Sequence, residues 1–169
     1  MQDRLLLGID PGMARTGYGL ILQAVDGELK LVDYGVIQTE PDEDPAHRLL
    51  TLEREMLKVV DAETPESSAV EKLFFDRNAK TAMAVGQARG VALLTLARRG
   101  VPVTEYAPAE IKRAVAGYGS ADKRQMQLMV RQLLRMSELP RPDDAADALA
   151  VAICHAHTSR TLERFKEGT

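Results

Sequence analysis

Hydrophobic residues in the N-terminal part of the chain come in short blocks, and further on they adopt helical spacing. "RLLLGID" (4–10) is an apolar run that predicts a buried strand, ended by the turn signal Pro11-Gly12. "GYGLILQAV", "DGE" and "LKLVDYGVIQT" then predict a hairpin with Asp26-Gly27 at its turn. In "EDPAHRLLTLEREMLKVVDAETP", Leu49, Leu52, Met56, Val59 and Val60 recur at helical spacing, with Asp44 as N-cap and Pro45 as first helical residue. "SSAVEKLFF" predicts a fourth strand, residues 77–99 a long helix apolar on more than one face, and "VPVTEYA" a fifth strand. Pro108 opens a short helix through Ala116. After "GYGS", Ser120 is expected to cap a helix reaching about Met136, and a last helix is expected from about Asp143 to Thr161.

The order β-β-β-α-β-α-β-α-α-α predicts an α/β fold: a mixed five-stranded sheet with helices on both faces, its later strands added in parallel beside an antiparallel hairpin. At 169 residues, with no stretch that looks like a linker, the expectation is one domain over 1–169. No apolar run approaches the ~18 residues of a membrane span, and no signal-peptide pattern opens the chain. The lone Cys154 excludes an internal disulfide framework and reads as a small apolar helix residue. Together these point to a cytoplasmic protein without a membrane partner.

Charge changes the picture. The net value of −3 argues weakly against a nucleic-acid partner, but residues 1–70 carry 6 basic and 14 acidic side chains, whereas 71–135 carry 12 and 5. A basic middle between acidic ends suits a phosphate-binding face if those bases converge; separately solvated helix faces are the plainer alternative.

Acidic residues mark three structural transitions. Asp10 ends the first strand and Glu71 ends the fourth, so both lie at one sheet edge if those strands are parallel neighbours. "RPDDAADALAVAI" (141–153) opens an apolar helix with Asp143, Asp144 and Asp147. On a helix Asp144 and Asp147 lie about 60° apart, and Asp143 and Asp147 about 40°, so spacing allows either pair. An Asp after a strand is often a turn residue, and one before a helix a cap. Asp147, inside the apolar pattern, and Glu71, between Val70 and an aromatic pair, fit those roles poorly. Carboxylates gathered in one place repel unless cations balance them. An oxygen-only donor set selects hard ions such as Mg²⁺ or Mn²⁺, and two such ions support phosphodiester hydrolysis. The three histidines, His47, His155 and His157, are not expected to bind metal.

"GIDPG", "VEKLFF" at 70–75, "AVGQARGVAL" at 84–93, "IKRAVAGYGSADK" at 111–123 and "DDAADALAVAI" at 143–153 together closely resemble the RuvC family of Holliday-junction resolvases, in order and over nearly the whole chain. The resemblance implies a ribonuclease H-like fold, a homodimer, and Mg²⁺-dependent symmetrical nicking of four-way DNA junctions in recombination and repair. It also implies two Mg²⁺ per active site (with Mn²⁺ able to substitute) and association with a RuvA–RuvB branch-migration helicase complex. It puts the family's catalytic, metal-binding carboxylates at Asp10, Glu71, Asp144 and Asp147, its important lysines at Lys112 and Lys123, and its junction-contacting aromatic at Phe74. Asp143 is then left as the helix cap. One local departure is Lys72, where many members carry Gln.

In that setting Lys112 and Lys123 hold the scissile phosphate or its transition-state charge, and Arg77, Lys80, Arg113 and Arg124 make general phosphate contacts. Gly117 and Gly119 flank Tyr118, suggesting a loop able to close over DNA. Phe74 and Phe75 face opposite ways in a strand, so one can be core while the other stacks on an unpaired base. Two rival readings are a ribonuclease acting on RNA–DNA hybrids and a non-catalytic junction-binding module.

Overall fold

A computed structural model describes residues 2–72 and 79–167. Phe74 and Phe75, with Arg77 and Asn78, the first two positions of the predicted long helix, fall outside the described residues. The elements run β1 (Arg4–Asp10), β2 (Arg15–Gln23), β3 (Leu29–Gln38), α1 (Pro45–Glu63), β4 (Ser67–Glu71), α2 (Ala79–Arg98), β5 (Val103–Tyr106), α3 (Pro108–Ala116), α4 (Lys123–Leu133) and α5 (Asp143–Glu167). They form one five-stranded sheet of order β3-β2-β1-β4-β5. The β1–β2 and β2–β3 pairs are antiparallel, whereas β4 adds parallel to β1 and β5 parallel to β4. This is the expected mixed α/β sheet.

Strand residues alternate between two apolar layers, as the pleat requires. Leu7 and Ile9 of β1 and Val70 of β4 pack with Leu52, Met56 and Val60 of α1 and Ala88, Ala92 and Leu96 of α2. Leu6 and Ala69 face the other way, into the layer formed by α3, α4 and α5. Continued to the strand ends, the same alternation puts Asp10 and Glu71 on the α5 face. Residues 145–156 of α5 are buried except for half-buried Asp147, because this helix lies between the sheet and α3 and α4. A helix enclosed in this way has no solvent face, which explains its apolar residues on every side.

α1 starts as expected: the Asp44 carboxylate accepts from the Ala46 and His47 N–H groups, and Pro45 is the first helical residue. Three expectations about the later helices need correction. Ser120 does not cap α4. Asp122 does, accepting from the Gln125 N–H at 2.8 Å while the Gln125 side chain accepts from the Asp122 N–H at 2.8 Å. This reciprocal pair satisfies two helix-end N–H groups, more than a lone serine satisfies. α4 ends at Leu133, short of Met136, with Arg135 at φ 51° breaking the helical path. α5 continues past Thr161 to Glu167.

Candidate active site

Parallel pairing aligns Ile9 with Val70, so Asp10 and Glu71, the next residue of each strand, end their strands side by side. Carboxyl ends of adjacent parallel strands are where α/β sheets collect ligands. The first turns of α5 come to the same edge, and two glycines explain how. A Cβ on Gly17 of β2 would lie 1.9 Å from the Asp144 carbonyl oxygen, and one on Gly8 of β1 would lie 2.1 Å from the Ala148 carbonyl oxygen. Gly17 is also the cross-strand partner of Asp10. The helix backbone thus rests directly on the strands, and the missing side chains set how close Asp144 and Asp147 come to Asp10.

The electrostatics report the crowding. Burial, then Asp147, Glu71 and Asp144, push the Asp10 carboxyl up to about 7, and Lys123 offsets them only in part. Glu71 is raised by burial and by Asp147, with Lys112 as the opposing cation. Asp147 is raised by burial first, against the pull of Lys123. Glu71, Asp147, Lys112 and Lys123 line a cleft of about 390 Å³ whose apolar wall includes Ile111 and Val151.

Lys123 lies among these acids. Its Nζ is 2.9 Å from Asp143 Oδ2 and 3.7 Å from Asp147 Oδ2. Asp143 therefore does not serve as the expected cap. Its carboxylate takes the Lys123 ammonium and the Gln127 side-chain amide, the latter at 2.9 Å, and Pro142 meets the helix-start N–H groups through its carbonyl. An ammonium within reach is the stronger partner, since charge-assisted hydrogen bonds exceed neutral ones.

An all-carboxylate set, half-buried and held together against its own repulsion, fits a hard divalent cation. Among the described residues no three His, Cys, Asp or Glu side chains close on a common point as they stand, so the acids are gathered but not caged.

Of the other expected contacts, Arg113, Tyr118, Arg124 and Lys80 are exposed, and none belongs to the cleft wall. Tyr118 follows the α3 C-cap Gly117, which has φ 89°. Lys72 is exposed, and the cation opposing Glu71 is Lys112. The buried histidine is remote from this chemistry. His155 Nε2 lies 2.9 Å from Ser67 Oγ and its Nδ1 3.0 Å from Tyr106 Oη, and burial lowers its pKa to about 4. Sequence reasoning missed Gly8, Gly17 and Gln127. Glycines inside strands were the available signal for the first two, since they mark close backbone approach.

A family model described as crossover junction endodeoxyribonuclease RuvC matches residues 6–155. The chain belongs to the RuvC family. A crossover junction endodeoxyribonuclease RuvC of Roseiflexus sp. (strain RS-1) is 54% identical over 162 residues, covering 96% of either chain. The corresponding protein of Chloroflexus aggregans is 55% identical over 159 residues, 94% of this chain and 96% of that one. Among solved structures, Thermus thermophilus RuvC in complex with Holliday junction substrate superposes with a TM-score of 0.88 at 39% identity, covering 94% of this chain and 96% of that one. The fold is accordingly ribonuclease H-like, and nucleases of the RuvC family need divalent metal ions.

Proposed function

We propose that this chain, as one domain, forms a homodimeric endonuclease that resolves four-way DNA junctions by paired symmetrical nicks, in recombination and repair. The observation that carries the reading is the gathering of Asp10, Glu71, Asp144 and Asp147 at one sheet edge, with Asp10 pushed to about 7 and Lys112 and Lys123 beside them. These carboxylates would hold two Mg²⁺, with Mn²⁺ able to substitute. Ions held there would supply an activated water and charge stabilisation for the leaving oxygen, and the expected products carry 5′-phosphate and 3′-hydroxyl ends.

The chain's own residues do the rest. Asp10 and Glu71 sit on adjacent strand ends and Asp144 and Asp147 on the first turns of a packed helix, so the acids ride on rigid elements. Lys112 and Lys123 supply positive charge where a phosphate approaches the cleft, and exposed Arg113, Arg124 and Lys80 add contacts that weaken as salt rises. Arg77, Phe74 and Tyr118 are further proposed DNA contacts.

A dimer is supported by large apolar side chains left exposed on the α1–α2 layer: Leu50, Met83 and Leu94. Two copies related by a two-fold axis would match the two cuts of a symmetric junction. No helix among the described residues is long and apolar enough to cross a membrane. We place the protein in the cytoplasm, working with a RuvA–RuvB helicase complex.

The test is a synthetic mobile four-way junction incubated with Mg²⁺, with cut positions mapped on all strands. Symmetrical nicks on two opposing strands are expected. Asp10→Asn should still bind the junction while nicking falls by roughly a hundredfold or more, the loss expected from several kcal/mol of transition-state stabilisation. Unchanged nicking by that variant, or cleavage of an RNA–DNA hybrid with the junction left intact, would overturn the reading.

A further inference from the structure

Asp143 is the carboxylate at the start of α5 that the proposed metal chemistry leaves unused. It is not occupied by its own helix either: the Ala145 and Ala146 N–H groups both donate to the Pro142 carbonyl, each at 3.1 Å. Its two oxygens are instead divided between two side chains of α4. Oδ2 takes Lys123 Nζ at 2.9 Å and Oδ1 takes Gln127 Nε2 at 2.9 Å. Lys123 and Gln127 are four apart and therefore share one face of α4, so the carboxylate bridges that face to the start of α5.

Lys123 stands where a cation is disfavoured, at the first residue of a helix whose N-terminal dipole is positive. Asp122 is engaged as the cap, through Gln125. The anions that hold the ammonium are Asp143 at 2.9 Å and Asp147 at 3.7 Å. Asp147 is also a carboxylate from which a divalent ion would be held. An ammonium pressed against Asp147 competes with that ion for the same oxygens; one held at Asp143 stays beside the site and leaves them accessible.

We propose that Asp143, braced by Gln127, is a positioning residue that moors Lys123 at the rim of the carboxylate cluster and keeps it from collapsing onto Asp147. The inference rests on the roles given above to Asp147 and Lys123. The mooring is an exposed ion pair, and such pairs contribute little to folding stability, so losing it should show in metal binding and not in the melting temperature.

The experiment is Mn²⁺ binding to the DNA-free full-length protein, followed by electron paramagnetic resonance, for wild type, Asp143→Ala, Lys123→Ala and the double variant, with Gln127→Ala alongside. Asp143→Ala should weaken Mn²⁺ binding roughly tenfold, the loss typical of a group that orients a metal site from outside it. In the Lys123→Ala background the same change should shift affinity by less than about twofold, because the residue through which it acts is gone. Gln127→Ala should give a smaller loss than Asp143→Ala, and thermal melts of these two variants should agree with that of wild type.

Equal weakening in both backgrounds would mean that Asp143 acts only through its own charge, and unchanged affinity in Asp143→Ala would mean that it moors nothing; either result overturns the inference while leaving the nuclease reading intact. If Asp147→Asn binds Mn²⁺ as wild type does, or Lys123→Ala nicks junctions at the wild-type rate, the underlying assignment fails and the mooring fails with it.

Discussion

Helix α5 carries buried or half-buried polar groups at two levels, and the two levels meet the cost of burial in opposite ways. At its start, Asp147 joins Asp10 and Glu71, all raised by burial first and then by neighbouring carboxylates, with Lys123 and Lys112 as partial compensation. Two turns further on, His155 is more deeply buried yet satisfied, each ring nitrogen within 3.0 Å of a hydroxyl, and lowered to about 4 so that it stays neutral. A buried polar group with internal partners is complete without anything from outside, whereas gathered acids lacking enough cations are complete only when a ligand supplies the charge. The contrast favours one end of α5 as the candidate site and the other as structure.

The two ends should respond to mutation with opposite signs. At the acidic end, a carboxyl raised from 3.8 to about 7 binds its proton more tightly in the folded state. Its stabilising contribution is complete below pH ~4 and is lost as pH rises through about 7, by linkage. Glu71 and Asp147 are shifted in the same direction. Asp143 is lowered, so it is ionised through this window and adds no slope there. The melting temperature of the metal-free protein should therefore fall from pH 5 to pH 8, and Mg²⁺ should restore it at pH 8. Asp10→Asn should stabilise the metal-free protein at pH 8 by on the order of 3 kcal/mol and flatten the profile. Chemical denaturation at pH 5 and pH 8 would measure both, and a profile that Asp10→Asn leaves unchanged would remove the contrast.

Gly17→Ala probes how the acidic end is assembled. The added Cβ meets the Asp144 carbonyl, a backbone atom that cannot swing aside. Overpacking of this kind costs about 1–3 kcal/mol, and displacing the first turn of α5 should lower nicking as well. A variant that folds and nicks like wild type would show that the helix position tolerates the shift. At the satisfied end, Tyr106→Phe removes one partner of His155 and should destabilise by about 1 kcal/mol at any pH above 6, without changing the nicking rate. A change in nicking there would join the two ends and break the comparison.

Much of this architecture was legible in one dimension. The order of elements and the Asp44-Pro45 helix start follow from rules acting over a few residues and appear as expected. The hairpin turn sits one residue early, closed by the Gly27 N–H on the Ala24 carbonyl around Val25-Asp26, with Gly27 at φ 98°. The Ser120 cap failed for a local reason of the same kind: Asp122 with Gln125 forms a reciprocal pair two residues later and wins the competition.

The site divides differently. From chain position alone Asp10 and Glu71 belong to strand ends and Asp144 and Asp147 to a helix start, and the family resemblance names all four. That they meet depends on β4 pairing beside β1 and on Gly8 and Gly17 letting a helix backbone lie against the strands, contacts between residues far apart in sequence. Asp143 shows the limit most plainly. A helix-start aspartate reads as a cap because local hydrogen bonding is all that a linear pattern contains, yet its partners Lys123 and Gln127 lie on another helix. Periodicity and turn chemistry are short-range and can be read along the chain; which charge finds which partner is decided only when packing brings distant segments within a few ångströms.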